Sequence, residues 1–437
     1  MSDVKGKSFG RFMVLWAADF YANIASGLTA FALGIYMFEM TGTATSVALT
    51  VLFAFLPAML LNPVAGVLAD RFDRRLMMVI GDGCSALGLL YILICIMAGH
   101  VSEWQVYLGV GINSVFIALL EPAFKATITD LLTKEQFAKA SGLVQMAGSA
   151  KFLLSPFIAG FLLTFTDIRA ILIIDITTIA VTIPVTILIK KQIAVVKTQR
   201  GNQGFFKDFA DGWRVISSNK GLLLTILIIS LVTFYMGFLQ TLYTPLMLTI
   251  TDAKTLGIVE SVSAVGMLVS SILLGVFTIT RKYVNQLVVG LSFTGIFIAL
   301  LGLTTNVFII AISGFLFFAA LPFINTSADV LTRSNIPDDK QGRAWGLIGI
   351  LSQFGFVIAY AVSGLLADHV FNPLLVENGS LASTVGRIVG VGSGRGIGFM
   401  LVISGIMLMV IAVILGRIRS IRTLEENIAS EKAEAPK

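Results

Sequence analysis

Charge, cysteine and histidine are what this sequence has least of. Only 13% of its 437 residues are Asp, Glu, Lys or Arg, against 56% hydrophobic residues and a mean hydropathy of +0.91. A water-soluble chain of this size has no interior large enough to hide so much apolar surface, which leaves an all-α polytopic membrane protein as the class. The two cysteines, Cys84 and Cys95, share one apolar stretch eleven positions apart. That is about 16 Å along a helix, too far for a disulfide between them. The two histidines, His100 and His369, fall between apolar stretches, so neither a His/Cys metal site nor a histidine proton relay within the membrane is expected. Nucleotide signatures are missing as well. Residues 390–396 are glycine-rich, but no Lys-Ser/Thr follows them, and Gly6-Lys7-Ser8 lacks the upstream glycine. No nucleotide, metal or cofactor is expected. The net charge of +6 is dispersed among short connections, so nucleic acid is not an expected partner either.

Long apolar runs are what the chain has in abundance. Spans are read near 12–38, 46–68, 77–98, 105–130, 138–165, 170–190, 221–248, 256–280, 285–304, 308–333, 343–367 and 397–417. Each suffices to cross a hydrocarbon core of roughly 30 Å as a helix. An even number of spans puts both ends on one side, and 25 of the 31 Lys and Arg residues then fall on that side. The positive-inside rule makes that side cytoplasmic and the protein a multi-pass protein of a plasma membrane. The polar start with Lys5, Lys7 and Arg11 runs straight into a full-length span rather than a cleavable leader.

The organisation read from these spans is a six-helix half over 1–190, a linker over 191–220, a second half over 221–418 and a charged tail over 419–437. Phe205, Phe209, Trp213 and Ile216 give the linker one apolar helical face beside Lys207 and Arg214. Gly142 and Gly160 in the fifth span have the same spacing as Gly346 and Gly364 in the eleventh, and Pro122 and Pro322 precede them in the fourth and tenth. The halves therefore read as pseudo-symmetric repeats. The tail is expected to be solvated, although Ile421, Leu424 and Ile428 have the spacing of a short amphipathic helix.

Charged side chains inside a span cost roughly 2.5–3.5 kcal/mol each, so each needs a partner, water or a purpose. Asp19, Glu121, Lys125 and Lys151 are such residues. Heights counted along the helices bring Asp19, Glu121 and Lys151 to comparable depth, which predicts a buried cluster with one carboxylate in excess, a proton-carrier arrangement. Asn23, one turn from Asp19, is its neutral neighbour on the same face. Glu121 and Lys125 are also spaced i,i+4 and equally read as a pair that neutralises itself. Asp175, close to Arg169, reads as a structural ion pair or helix cap, and Glu260 and Asp368 likewise read as structural. Tyr235, Gln240, Tyr243, Asn325 and Gln353 offer aromatic faces and amides to a bulky amphiphilic ligand.

One stretch is unlike the rest: Gly66-Val67-Leu68-Ala69-Asp70-Arg71-Phe72-Asp73-Arg74-Arg75 packs its charges between two apolar spans. It is expected as a tight turn, with Gly66 allowing close helix approach, Asp70 capping a helix, and Arg71, Arg74 and Arg75 holding carboxylates. Its spacing resembles the signature loop between the second and third helices of the major facilitator superfamily. Trp16-Ala17, Glu135-Gln136, Ser155-Pro156, Gly266-Met267-Leu268 and Gly342-Arg343 extend the resemblance to the bacterial drug-efflux branch related to macrolide exporters.

The resemblance implies twelve helices in two pseudo-symmetric halves, with the first, fourth, seventh and tenth lining a central cavity. It also implies export of a small amphiphilic substrate by alternating access, coupled to a proton gradient, by a monomer among membrane lipids. Asp70, Arg71, Arg74 and Arg75 would form the gate. Ser155, Pro156 and Gly160 keep the proline of the family's fifth-helix Gly-Pro motif but not its glycine, and Asn113 stands where many relatives carry a coupling arginine. Lysophospholipid flippases and siderophore exporters of the same branch are the alternatives. A non-transporting membrane sensor or scaffold is the competing class, without an appended signalling domain to support it.

Overall fold

The computed structural model describes residues 8–190, 213–214, 216–217, 220–276, 282–337 and 341–434. Helices dominate, and no strand occurs among the described residues. The first six spans are α1 Phe9–Thr41, α2 Ala44–Arg71, α3 Arg74–Met97, α4 Glu103–Leu131, α5 Phe137–Leu162 and α6, which is interrupted at Thr178 into Ile168–Thr177 and Ile179–Lys190. The others are α7 Lys220–Leu248, α8 Ala253–Val276, α9 Tyr283–Leu303, α10 Val307–Arg333, α11 Gln341–Leu366 and α12 Arg395–Arg417, followed by an additional helix, α13, Arg419–Glu434. All twelve spans are long and apolar enough to cross a membrane.

The ends of these helices are written locally. Gly42 at φ +69° closes α1 in the left-handed conformation that a side chain would resist, and Thr43 then caps α2 by accepting from the Ser46 amide. Asp73 accepts from the Arg75 and Leu76 amides at the start of α3, and Asn306 from Phe308 and Ile309 at the start of α10. α2 continues helically to Arg71, so the expected ten-residue turn shrinks to Phe72 and Asp73. Gly66 thus lies inside a helix, with no neighbour within 4 Å of where a Cβ would stand among the described residues. The residue that caps α3 is Asp73, and the side chains of Asp70 and Arg71 lie outside the described part.

The chain forms two compact units. The first comprises Met1–Arg200 together with Asp252–Ser261, and the second Gly201–Thr251 with Val262–Lys437. The first turns of α8 belong with the first unit because small residues let them in: a Cβ on Gly257 would stand 2.2 Å from the Pro156 carbonyl oxygen, and one on Gly160 2.7 Å from that of Ala253. Elsewhere in this unit α3 and α4 meet at Gly88 and Gly109, and Asn113 Nδ2 donates to the Ser85 carbonyl at 3.0 Å. In the second unit α9 and α12 cross at two glycine pairs, Gly295 with Gly405 and Gly302 with Gly398. The connection before α12 is folded: a π-helical turn over Ala367–Phe371 leads to two short helices, and buried Arg395 donates to the Val389 carbonyl at 3.2 Å.

The tail differs from expectation. Ile421, Leu424 and Ile428 are all buried, Asn335 donates to the Leu424 carbonyl at 3.1 Å, and Asn427 donates to the Asn335 side chain at 3.0 Å. Three apolar residues on one face give α13 a seat on the second unit, so it is a packed helix rather than a solvated tail. Of the linker face, Phe205 and Phe209 lie outside the described residues. Ile216 is fully buried against Leu222, Ile226 and Ile336, whereas Trp213 is exposed.

Candidate functional site

The first unit holds charge in its interior, and the packing of α5 on α1 is what creates the site. Ser155 donates to the Ile24 carbonyl at 2.9 Å, and Gly27 leaves no room for a Cβ beside the Ser155 side chain. This close crossing brings Lys151 to α1, where its ammonium stands 3.4 Å from the Ser26 hydroxyl. The acidic residue acting on Lys151 is Asp175 of α6, only 9% exposed. Asp19 on the same face of α1 has Asp82 of α3 as its charged neighbour. Asn23 Nδ2 donates both to the Asp19 backbone carbonyl at 2.9 Å and to its carboxylate at 3.1 Å. Asp82 also acts on Asp175, so three carboxylates and one ammonium form one electrostatic group contributed by four helices. Two hydroxyls face it. Thr29 is turned toward Asp175 and Thr182 toward Asp82, both buried and neither closing a regular hydrogen bond.

Glu121 is not part of this group. Lys125 donates to it at 2.6 Å, and both side chains are largely exposed, at 65% for Lys125 and 60% for Glu121. The i,i+4 reading of this pair is the one the structure contains, and Glu121 does not meet Lys151. Asp175 is neither the cap of α6 nor the partner of Arg169. Arg169 pairs with Asp167 at 3.4 Å, and it is Asp167 that caps α6. The cation whose charge acts on Asp175 is Lys151, which arrives from another helix and is not legible from the local sequence. Asp82 carries the same local signal as Asp19, a carboxylate inside an apolar span, the one read at 77–98.

The charges that follow α2 serve the first unit. Arg74 donates to Asp130 at 2.8 Å and to the Ala126 carbonyl at 3.2 Å, and Arg75, 3% exposed, stands 3.7 Å from the same carboxylate. Pro156 lies inside α5, which stays helical from Phe137 to Leu162. In the second unit Tyr235 is buried, Tyr360 donates to the Gln240 side chain, Asn325 is exposed, and Gln353 has a buried side-chain oxygen without a partner. Tyr243 lies partly buried on α7, one turn before Met247. None of these lines the cavity of about 620 Å³ found in the first unit, whose polar wall is Tyr36, Glu39, Thr166, Asp167 and Arg169.

Twelve long apolar helices, with unbalanced charge held inside one six-helix unit, define a transporter rather than an enzyme. The family model described as Major Facilitator Superfamily matches residues 15–360, and the chain belongs to that superfamily. Macrolide efflux protein A of Streptococcus pyogenes is 25% identical over 364 residues, covering 82% of this chain and 90% of that protein. A lysophospholipid transporter of Photorhabdus laumondii is 25% identical over 216 residues, 48% of this chain and 52% of its own length. Among solved structures, a mutant form of the nucleoside transporter NupG superposes with a TM-score of 0.73 at 15% identity, over 93% of this chain and 99% of that one. This last similarity establishes the shared fold.

Proposed function

We propose that the protein is a secondary exporter of amphiphilic, drug-like small molecules, driven by exchange with protons as two halves alternate access. The observation that carries this reading is the Asp19, Asp82, Asp175 and Lys151 group, whose carboxylates outnumber its single ammonium inside a membrane-spanning unit. Fully ionised, it would hold an uncompensated charge that a hydrocarbon surround penalises, so protons are natural occupants. Similarity to macrolide efflux protein A over most of both chains supports the substrate class and the direction. The lysine and arginine distribution supports a plasma-membrane protein with both ends in the cytoplasm.

In this reading Asp70, Arg71, Arg74 and Arg75 gate the cytoplasmic side, and Asp70→Asn slows cycling without changing equilibrium ligand affinity. Tyr235, Gln240, Tyr243, Asn325 and Gln353 contact substrate. A lysophospholipid is the second reading, favoured by the relative of that name and by an embedded lysine suited to a phosphate headgroup. The decisive experiment is flux in proteoliposomes under an imposed pH gradient, comparing a radiolabelled macrolide and a fluorescent lipophilic cation with a labelled lysophospholipid. Drug flux that follows the gradient and is lost in Asp19→Asn supports the proposal. Lysolipid movement indifferent to the gradient replaces it with a lipid carrier.

A further inference from the structure

Arg395, the first residue of α12, is a charge that the proposed transport cycle does not use. It is 5% exposed, and its Nη1 donates to the Val389 carbonyl at 3.2 Å. Its Nη2 is buried without a hydrogen-bond partner, and no carboxylate forms an ion pair with the guanidinium among the described residues. A permanent cation withdrawn from water and left with one neutral carbonyl lacks the counter-charge that buried guanidinium groups require.

The backbone around Arg395 is shaped to hold it there. Gly390 sits at φ +93°, and a Cβ on it would stand 2.9 Å from Arg395 Cδ, so only glycine makes room for the folded-back side chain. Gly394 at φ +75° then leads into α12 without a side-chain cap. Of the first amides of this helix, that of Arg395 bonds to the Gly392 carbonyl at 3.2 Å and that of Gly398 to the Gly394 carbonyl at 3.0 Å. Those of Gly396 and Ile397, both buried, have no carbonyl acceptor among the described residues. Asn372 lies against the same start, its backbone nitrogen 2.3 Å from where a Gly396 Cβ would be, and its buried Oδ1 is also without a partner. Beside the loop there is space, since nothing stands within 4 Å of a Cβ on Gly392.

An uncompensated guanidinium and the uncapped, positive end of a 23-residue helix call for the same thing, an anion. From this coincidence we infer an oxyanion site in the second unit, at the start of α12, in which Arg395 and the first amides of the helix hold a phosphate group. Arg395 supplies the charge and a fork suited to phosphate oxygens. Free inorganic phosphate and a phospholipid headgroup share this chemistry. The glycine-rich run over 390–396 is thereby an anion loop without the Lys-Ser/Thr that a nucleotide site needs. The inference stands apart from the exporter reading, because it requires neither a direction nor a coupling ion.

Thermal unfolding of the purified full chain in an uncharged detergent tests it, with sodium phosphate titrated against sodium chloride at fixed ionic strength. The wild-type midpoint should rise by about 2 °C and saturate, as mass action on a native-state site requires. Arg387→Gln, at an exposed arginine of the same connection, should keep the rise, and Arg395→Met should lose it. Phosphate also strengthens apolar burial in general, but that effect is common to all three proteins. A merely structural Arg395 would lower the midpoint of Arg395→Met by the same amount at every phosphate concentration, and such a parallel loss overturns the site. If Arg395→Met does not fold, Arg395→Lys, which keeps a cation without the fork, should need several-fold more phosphate for half of the rise, and an unchanged requirement overturns the site. Mass spectrometry of co-purified lipid separates the two sources. A wild type that ignores added phosphate yet retains a phospholipid that Arg395→Met lacks assigns the site to a headgroup. A wild type that ignores phosphate and carries the same lipid as Arg395→Met overturns it.

Discussion

Arg74 at the start of α3 donates to Asp130 at the end of α4 at 2.8 Å, and Arg75 approaches the same carboxylate from 3.7 Å. Both arginines thereby tie α3 to α4 across an end of the first unit. Arg75 is 3% exposed, so loss of Asp130 removes a carboxylate from a largely buried ion-pair network. Such a loss is worth about 3 kcal/mol. Asp130→Asn should lower the thermal midpoint of the purified protein well below that of Asp329→Asn, whose carboxylate pairs with Arg333 on an exposed surface.

Glu121 and Lys125 make an exposed i,i+4 pair, the kind worth about 0.3–0.5 kcal/mol. Glu121→Gln should therefore change thermal stability hardly at all and leave the pH profile of transport where it is in the wild type. A shifted profile would return Glu121 to the coupling machinery.

Gly295 and Gly405 let α9 and α12 touch backbone to backbone. A Cβ on Gly295 would stand 2.6 Å from the Gly405 carbonyl oxygen, and one on Gly405 2.3 Å from that of Gly295. Neither obstacle is a flexible side-chain end, so alanine at either position should cost roughly 1–3 kcal/mol or more. Gly111→Ala is the control, since its Cβ would meet Phe53 at an ordinary 3.7 Å. Thermal denaturation followed by size-exclusion chromatography should rank both variants below the control.

Asp252 caps α8, accepting from the Thr255 amide at 2.8 Å, and hydrogen bonds from Thr255, first from its side chain and then from its backbone, hold the carboxyl below the usual carboxylate range. A depressed folded-state value means that the cap's contribution is complete above the ordinary Asp range and is lost as pH falls through the lower folded value. Asp252→Ala should cost about 1 kcal/mol at neutral pH. Thermal midpoints of variant and wild type should converge as the pH drops below the ordinary Asp range.

What the sequence made legible follows from local chemistry. Twelve apolar runs announce twelve spans because a bilayer imposes length and hydropathy on each helix separately. Asp73, Asn306 and Gly42 sit where caps and stops belong, and the signature residues from Gly66 to Arg75 announced the superfamily. The ten-residue turn expected there was too long because Asp70 and Arg71 are charged residues that do not break a helix.

The sequence by itself determined the class, the number of spans and the presence of charge inside them, since burial of a carboxylate or an ammonium is improbable at any position without a reason. Only the tertiary structure decided which charges meet. Lys151 stands at Ser26 of α1 under the charge of Asp175, and Glu121 pairs with Lys125 instead, because Gly27 and Ser155 bring α5 close to α1. The charge acting on Asp19 is Asp82, brought into the same unit by α3. Helical periodicity fixes a side chain's direction about its own axis, whereas its partner is chosen by the crossing of another helix, set by small residues far away in sequence.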